Sequence, residues 1–143
     1  MHVLLPDYVR KASKYAMPGA LGFEWVFIDG ENGSIDWQSC QELVRACDAV
    51  GISSMVRVPK LDDALIANYL QTGTHGIAVP HVNTVQEAEA AVSYARYYPE
   101  GRRGSDAGAS RSSAYGLQGS SADYFRRADD EILVAVWIEE PEG

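Results

Sequence analysis

The chain has 143 residues, of which 46% are hydrophobic and 22% charged, a composition typical of a globular domain with enough apolar side chains for a core. The formal net charge of −8 leaves no basic surface for nucleic acid, and no apolar run approaches the roughly 18 residues of a membrane-spanning helix. Because the N-terminus has no signal-peptide pattern, we expect one cytoplasmic domain over residues 1–143 that binds neither nucleic acid nor membranes.

Short apolar runs alternate with helical patterns through the first half of the chain. The clearest helix is 36–51, because its apolar residues recur at spacings of three and one and Gly51 can cap its end. Its two cysteines, Cys40 and Cys47, share a face but lie too far apart along the axis to form a disulfide, so we predict two buried thiols. The other predicted elements are a weak strand at 2–5, a helix at 7–16 capped by Asp7, strands at 25–29 and 53–59, and a helix at 62–73 that begins at Asp62.

The second half of the chain continues this alternation and adds a long polar segment. A strand is predicted at 76–80 and a helix at 84–98, where Thr84 and Glu87 have the spacing of a capping box. The Gly- and Ser-rich segment 99–121 exceeds the usual length of a connection within a domain, and such loops often carry function. The pattern ends with a short helix at 122–130 and a strongly apolar strand at 132–139.

The repeated strand–helix units indicate a mainly parallel sheet covered by helices. Two folds have this pattern, an open doubly wound sheet and a (β/α)8 barrel. The segment DGENG, which follows the predicted strand at 25–29, lacks the glycine spacing of a dinucleotide-binding loop. A nucleotide-binding sheet therefore has little support.

Polar side chains follow the predicted strands at their carboxyl ends, where parallel α/β folds build their sites. These side chains are Asp29, Arg57, His81 after Pro80, and Glu139. Alternatively, Asp29 and Glu31 are loop acids that cap a turn. An arginine among acids, without a reactive cysteine or a Ser-His-Asp order, favours metal-assisted chemistry on an oxyanion, because carboxylates bind Mg²⁺ or Mn²⁺ and an arginine stabilises an enolate.

Several longer segments, in order and over nearly the whole chain, resemble one enzyme family. They are GFEWVFIDGENGSIDW, VRVP, GTHGIAVPHVNTVQEAEAAV, RYYPEGRRG and YFRRADDEILVAVWIEEPEG. They look like the class II pyruvate aldolases of the HpcH/HpaI family, which include 4-hydroxy-2-oxo-heptanedioate aldolase and 2-dehydro-3-deoxyglucarate aldolase. The fungal macrophomate synthase is a relative.

The resemblance implies a (β/α)8 barrel that binds a divalent metal, Mg²⁺ or Mn²⁺ with Co²⁺ as a further candidate. Such an enzyme reversibly cleaves a 4-hydroxy-2-oxo acid to pyruvate and an aldehyde. By motif, Glu139 is the metal ligand at the end of the fifth strand, Arg57 contacts the keto oxygen and stabilises the enolate, and Asp29 begins the family's Asp-Gly-Glu-His motif. The family commonly forms trimers or hexamers, so we expect a homo-oligomer.

Two positions depart from the family pattern. Asn32 replaces the histidine that takes part in proton transfer, and an amide forms hydrogen bonds but does not titrate near neutral pH. Trp137 stands where several aldolases have a glutamine. We expect Trp137 and His81 to contact the substrate and Asn32 to lie at the catalytic centre, whereas the loop arginines Arg102 and Arg103 either reach substrate carboxylates or form salt bridges.

The length of the chain predicts only part of a barrel. A complete barrel needs about 250 residues, and the sequence accounts for only about five strands. The family's second acidic metal ligand follows the sixth strand, which this sequence does not reach. We therefore expect the first half of a barrel with open strand edges, completed by a second copy or by a separate chain, or a fragment.

Three functions remain open from the sequence. The first is a metal-dependent pyruvate aldolase. The second is a related reaction on the same fold, either that of a lyase acting on acyl-CoA thioesters or one similar to macrophomate synthase. The third is a non-catalytic half-barrel that acts by self-association or partner binding. Asn32 and Trp137 favour the third function, and the presence of Asp29, Arg57 and Glu139 favours catalysis.

Overall fold

Four parallel strands form one sheet in a computed structural model, which describes residues 7–105, 108–117 and 119–141, with side chains from Lys14 onward. The strands are adjacent in chain order, β1-β2-β3-β4. In sequence, the elements are α1 (Asp7–Ala20), β1 (Trp25–Asp29), α2 (Trp37–Ala49), β2 (Ser53–Arg57), α3 (Asp63–Gln71), β3 (Gly76–Val79), α4 (Val85–Ala95), a 3₁₀ helix (Arg111–Gly116), α5 (Ser121–Glu131) and β4 (Leu133–Val136).

The hydrophobic core lies between one face of this sheet and the helices. Alternate strand residues such as Ile28, Val56 and Ile77 point to this face and are fully buried, as the two-residue period of a strand requires. The facing helices contribute a matching apolar stripe that includes Leu43 and Ile66. The packing of the helices against this face therefore holds the sheet in place.

The helix ends follow the capping residues that the sequence predicts. Asp36 accepts a hydrogen bond from Ser39 N at 2.7 Å to begin α2, and Gly51 has a φ of 73° just beyond its end, the left-handed conformation that glycine adopts most easily. The capping box of α4 is also confirmed, because Glu87 N donates to Thr84 Oγ1 and Glu87 Oε2 accepts from Thr84 N.

Several predicted elements differ from the observed ones, and strands β2 and β4 end at Arg57 and Val136 instead of residues 59 and 139. Helix α1 continues past residue 16 to Ala20, where Gly19 packs so closely on Val50 that a Cβ would lie 2.7 Å from its Cγ2. Helix α4 ends at Ala95 instead of residue 98, because the chain turns back and Arg102 N donates to the Ser93 carbonyl. The segment predicted as a loop contains the 3₁₀ helix. The predicted strand at 2–5 lies outside the described residues.

The opposite face of the sheet is open. Trp25 on β1 is 57% exposed and Leu133 on β4 is 58% exposed, and both strands lie at an edge of the sheet. A closed barrel would bury this face in its interior. The apolar residues on this inner face of the four strands are Trp25, Phe27, Met55, Ala78, Leu133, Ala135 and Trp137, of which Trp25 and Leu133 are exposed and Ala78 is fully buried.

Both cysteines are buried and free, as the helical spacing predicts. Burial raises the pKa of Cys40 to about 12 and that of Cys47 to about 11, so neither thiol ionises at neutral pH. They serve as small packing residues. Among the helices of the described residues, none is long and apolar enough to cross a lipid bilayer.

Candidate active site

The centre of the candidate site is an ion pair between neighbouring strand ends. Asp29 ends β1 and Arg57 ends β2, and the parallel register sets the two residues side by side. Arg57 Nε donates to Asp29 Oδ1 at 2.8 Å, and Nη2 donates to Asp29 Oδ2, the two-bond geometry that a guanidinium and a carboxylate favour. These hydrogen bonds lower the pKa of Asp29 and raise that of Arg57. Both groups are therefore ionised at neutral pH.

Glu31 binds the same guanidinium from another side. Its Oε2 lies 2.6 Å from Arg57 Nη1. Asp29 also holds the loop that carries Glu31, because Asp29 Oδ1 accepts from the backbone N–H groups of Glu31 and Asn32, both at 3.1 Å. Asp29 thus caps a turn and pairs with the arginine. Asp29 accepts from two of the five N–H donors of the guanidinium and Glu31 forms an ion pair at Nη1, so Asp29 leaves donors for another acceptor.

Gly30 allows this turn to approach β2. Its N–H donates to the Arg57 carbonyl at 2.9 Å, and a Cβ at this position would lie 2.6 Å from the same oxygen and 3.0 Å from Tyr69 Oη. Only glycine fits without displacing the backbone of β2. The Asp-Gly-Glu order is therefore required to bring both carboxylates to Arg57.

Trp137 covers one face of the Arg57 guanidinium. The guanidinium carbon lies 4.7 Å from the centre of the indole ring, within the range of a cation–π interaction. The other contact of the indole is Phe27, whose ring is nearly parallel to it at a centroid distance of 5.4 Å. The backbone N–H of Trp137 donates to the Val79 carbonyl, so the hydrogen bonds between β3 and β4 continue to this residue and fix the direction of its side chain. Trp137 forms an apolar wall beside Arg57.

His81 links three segments at the same end of the sheet. Its Nε2 lies 2.9 Å from Glu31 Oε1 and its Nδ1 lies 3.0 Å from Glu140 Oε1. The hydrogen bond to Glu31 is the main cause of a raised His81 pKa. His81 has a φ of 56°, in the left-handed region, which costs a non-glycine residue about 1 kcal/mol. The surrounding acids offset that cost.

Glu139 is the predicted metal ligand and lies beside His81. Its Oε2 accepts a long hydrogen bond from His81 N at 3.4 Å, and it lies 4.0 Å from His81 Nδ1. Within the described part of the chain, no three His, Cys, Asp or Glu side chains are arranged to hold a metal ion. A magnesium ion takes about six oxygen ligands in a near-octahedral arrangement, so the residues present do not form a complete metal site.

The structure brings the six predicted site residues to one end of the sheet. Arg57, Asp29 and Trp137 are in direct contact, and His81 and Glu139 meet each other. His81 joins the two groups because both it and Arg57 bind Glu31. The side chain of Asn32 is exposed at this end, and its backbone N–H is bound to Asp29.

Sequence reasoning did not assign three residues of this cluster. Glu31 binds both Arg57 and His81, and the Asp-Gly-Glu motif is the sequence signal that could have identified it. Phe27 stacks on Trp137, and its position two residues before Asp29 on the same strand face predicts this direction. Glu140 contacts His81 and accepts from Asn83 Nδ2, a contact that its position next to Glu139 does not reveal.

The loop arginines and His75 do not belong to this cluster. Arg102 lies over the Tyr94 ring and 3.8 Å from Asp63, which agrees with a salt-bridge role. Arg103 lies over the Tyr97 ring and is buried. His75 precedes β3 and therefore stands at the amino ends of the strands, where its Nδ1 accepts from Ser54 N.

Curated proteins similar to this chain are aldolases. A hydroxypyruvate/pyruvate aldolase from Deinococcus radiodurans is 36% identical over 118 residues, which cover 82% of this chain and 42% of that protein. A 5-keto-4-deoxy-D-glucarate aldolase from Escherichia coli is 34% identical over 125 residues, which cover 87% of this chain and 47% of that protein. The chain thus spans about half the length of the curated relatives it matches.

Solved structures give the same picture of the fold. An HpcH/HpaI aldolase/citrate lyase family protein from Burkholderia cenocepacia superposes with a TM-score of 0.84 at 28% identity, covering 92% of this chain and 52% of that chain. The citrate synthase SbnG superposes with a TM-score of 0.78 at 32% identity, covering 92% of this chain and 49% of that chain. Macrophomate synthase has a TM-score of 0.74 at 25% identity, with 92% and 46% covered.

These matches confirm the predicted fold, a partial (β/α)8 barrel of which the described residues form four strands. The family model for HpcH/HpaI aldolase/citrate lyase matches residues 10–143, and the chain belongs to this family.

Proposed function

We propose that this chain is one partial barrel domain of a pyruvate aldolase, which reversibly cleaves a 4-hydroxy-2-oxo acid to pyruvate and an aldehyde. The observation that carries this proposal is the Arg57 guanidinium, fixed by Asp29 and Glu31 at the carboxyl end of the sheet with N–H donors that its two hydrogen bonds to Asp29 do not use. Family membership and the names of the curated relatives support the reaction class.

Arg57 stabilises the negative charge that develops on the 2-oxo oxygen as pyruvate becomes an enolate. The N–H groups that Asp29 does not bind donate to that oxygen or to the adjacent carboxylate. The two acids hold the guanidinium in place before substrate arrives, so that little reorganisation is needed during the reaction. Trp137 excludes water from one side of the guanidinium, which strengthens the electrostatic effect.

His81 and Asn32 contribute hydrogen bonds at the same opening. His81 lies between Glu31 and Glu140 and contacts a substrate oxygen after a small rotation of its exposed ring. Asn32 donates through its amide but cannot exchange a proton with the substrate near neutral pH. The catalytic base is therefore a group other than Asn32.

A divalent cation, Mg²⁺ or Mn²⁺ with Co²⁺ as a further candidate, completes the proposal. Glu139 supplies one carboxylate to it, and the other ligands come from outside the described residues. Such an ion supplies Lewis-acid chemistry to a 2-oxo acid when bound. We assign no step of the reaction to it, because this chain alone provides too few ligands. We also propose that the protein acts as a homo-oligomer.

The test of the reaction is release of pyruvate from a 4-hydroxy-2-oxo acid, followed by a coupled lactate dehydrogenase assay with Mg²⁺ or Mn²⁺ present. Arg57→Lys keeps the charge but loses the two-bond geometry, so we expect kcat to fall by about a hundredfold or more. Arg126→Lys, an equivalent change on the exposed side of α5, should leave kcat unchanged. Turnover that survives Arg57→Lys undiminished would remove the central argument.

The test of the metal is calorimetry with Mg²⁺ and Mn²⁺, with and without pyruvate. We expect binding that is weakened by Glu139→Gln and unaffected by Glu89→Gln, which removes an exposed carboxylate from α4. A folded chain that binds neither ion nor pyruvate would instead support a half-barrel without catalytic activity.

A further inference from the structure

A second polar cavity lies at the amino ends of β3 and β4, at the opposite end of the sheet from the candidate active site. Its volume is about 370 Å³. The turn before β3, the segment after α4, the 3₁₀ helix and α5 form its walls. Its polar lining consists mainly of Arg103, Arg127, His75, Ser112, Tyr124 and Glu131. None of these side chains takes part in the site described above.

Arg103 is the central feature of this cavity. The residue is only 7% exposed, and its Nε and Nη2 are buried without a hydrogen-bond acceptor among the residues that the structure describes. The guanidinium lies 4.6 Å from the centre of the Tyr97 ring, which covers one face but accepts no conventional hydrogen bond. A buried charge without an acceptor is costly, because water no longer solvates it. Arg103 therefore presents a buried cation that an anion would stabilise.

The other polar groups of the lining add donors. Arg127, an exposed residue of α5, also lines the cavity and carries a second positive charge. His75 Nδ1 accepts from Ser54 N at 3.3 Å, so the neutral imidazole carries its proton on Nε2 and is a donor there. The lining also contains the carboxylate of Glu131, whose single negative charge is smaller than the two positive charges of Arg103 and Arg127.

Nearby acids do not fill the acceptor role for Arg103. The carboxylate of Asp129 is used by Tyr97 N, which lies 2.9 Å from Oδ1 and 3.2 Å from Oδ2. Asp129 therefore compensates part of the positive charge of Arg103 from a distance. Among the described residues, no ion pair within 4.0 Å joins the two side chains. The local charge around Arg103 is only partly compensated.

We propose that this cavity binds a small oxyanion through Arg103 and Arg127. The recognised chemistry is a compact, negatively charged oxygen cluster, which both inorganic phosphate and a small carboxylate provide. Binding joins the segment after α4 to α5, so the bound anion stabilises the connection between α4 and β4. The proposal is independent of the aldolase reaction.

The test uses inorganic phosphate as the first probe, titrated into the full chain by calorimetry at constant ionic strength, with pyruvate and chloride as comparison anions. Arg127→Gln should weaken phosphate binding about tenfold, because it removes a charge-assisted hydrogen bond. Arg126→Gln, the adjacent arginine on α5 that pairs with Asp123, is the matched control and should bind as the wild type does. Arg103→Gln should abolish binding. If that variant fails to fold, the comparison of Arg127→Gln with Arg126→Gln still decides the outcome.

Nuclear magnetic resonance locates the bound anion. Phosphate should shift the amide signals of residues 73–75 and 124–131 and leave those of 29–32 and 137–140 unchanged. Shifts confined to the second group would place the anion at Arg57 and overturn the proposal. Equal losses of affinity in Arg126→Gln and Arg127→Gln would also overturn it. Tighter binding of pyruvate than of phosphate would identify a carboxylate as the preferred form of the oxyanion.

Discussion

At the scale of single residues, Arg57 combines the catalytic role that we propose for it with a structural role. The residue is 9% exposed and binds both Asp29 and Glu31, so removing its side chain leaves two partly buried carboxylates without a counter-charge. The sequence motif predicts only the catalytic role. Arg57→Lys is therefore a better probe of the chemistry than Arg57→Ala, because it preserves the counter-charge while changing the geometry.

The ion pair makes a specific prediction for acid stability. Arg57 lowers the pKa of Asp29 in the folded state below its ordinary value of 3.8, so the pair contributes its stability above about pH 4 and loses it as pH falls through the lower, folded-state pKa. Asp29→Asn keeps an oxygen to cap the turn but removes the charge. We expect its melting temperature to lie below that of the wild type at pH 7 and to converge with it at low pH.

Thermal melts across the acid range measure this convergence. Asp130→Asn removes an exposed carboxylate from α5 and serves as the control, with a small difference from the wild type at every pH. A difference for Asp29→Asn that stays constant down to pH 2 would mean that the ion pair contributes nothing to stability.

Asn32 gives the second prediction at this scale. Its backbone is held by Asp29, and its side chain is exposed beside the guanidinium cluster, so a histidine there has room and a nearby acid. We expect Asn32→His to raise kcat by about tenfold or more, with a new limb in the pH profile near the ordinary histidine pKa of about 6.5. Asn32→Gln keeps an amide and should give no gain. An unchanged rate in Asn32→His would mean that another group already acts as the base.

At the scale of secondary-structure elements, local signals predicted the beginnings of helices better than their ends. Asp36, Asp62 and Thr84 each begin a helix as predicted, because a cap is a contact over only three residues. The early end of α4 depends on a chain reversal that brings Arg102 N to the Ser93 carbonyl, and no periodicity in the sequence records that contact. The same limit applies to Arg103, whose surroundings come from α5, the 3₁₀ helix and the turn before β3.

Gly101 makes this chain reversal possible. Its N–H donates to the Tyr97 carbonyl at 2.7 Å, and a Cβ there would lie 2.4 Å from the Arg96 carbonyl oxygen and 2.5 Å from that of Ser93. Backbone atoms cannot move aside as a flexible side chain does. We therefore expect Gly101→Ala to lower the free energy of unfolding by about 3 kcal/mol.

Urea denaturation measures this loss, and a second glycine in the same segment provides the control. A Cβ at Gly104 would meet no atom within 4 Å, so Gly104→Ala should change the free energy of unfolding by less than about 0.5 kcal/mol. Similar losses for the two variants would mean that the segment is sensitive to any side chain and that the close approach is not the cause.

At the scale of the whole molecule, the sequence predicted the partial barrel and the gathering of the candidate site residues at one end of the sheet. Strand–helix alternation and the family motifs carry that information, and parallel topology then gathers the strand ends. Sequence did not predict that Glu31 joins Arg57 to His81, because that depends on the register between β1 and β2 and on the left-handed backbone of His81.

The open inner face determines how the molecule behaves in solution. Its most exposed apolar residues, Trp25 and Leu133, lie on the two edge strands, a combination that promotes association. We expect the chain to self-associate, and we expect Leu133→Glu to weaken the association by about tenfold or more, because it replaces a buried apolar contact with a charge. Val85→Glu is the control, since Val85 is 68% exposed at the start of α4 on the helical side of the sheet. Sedimentation velocity distinguishes the two variants, and equal effects would place the interface on the helical side instead of the inner face.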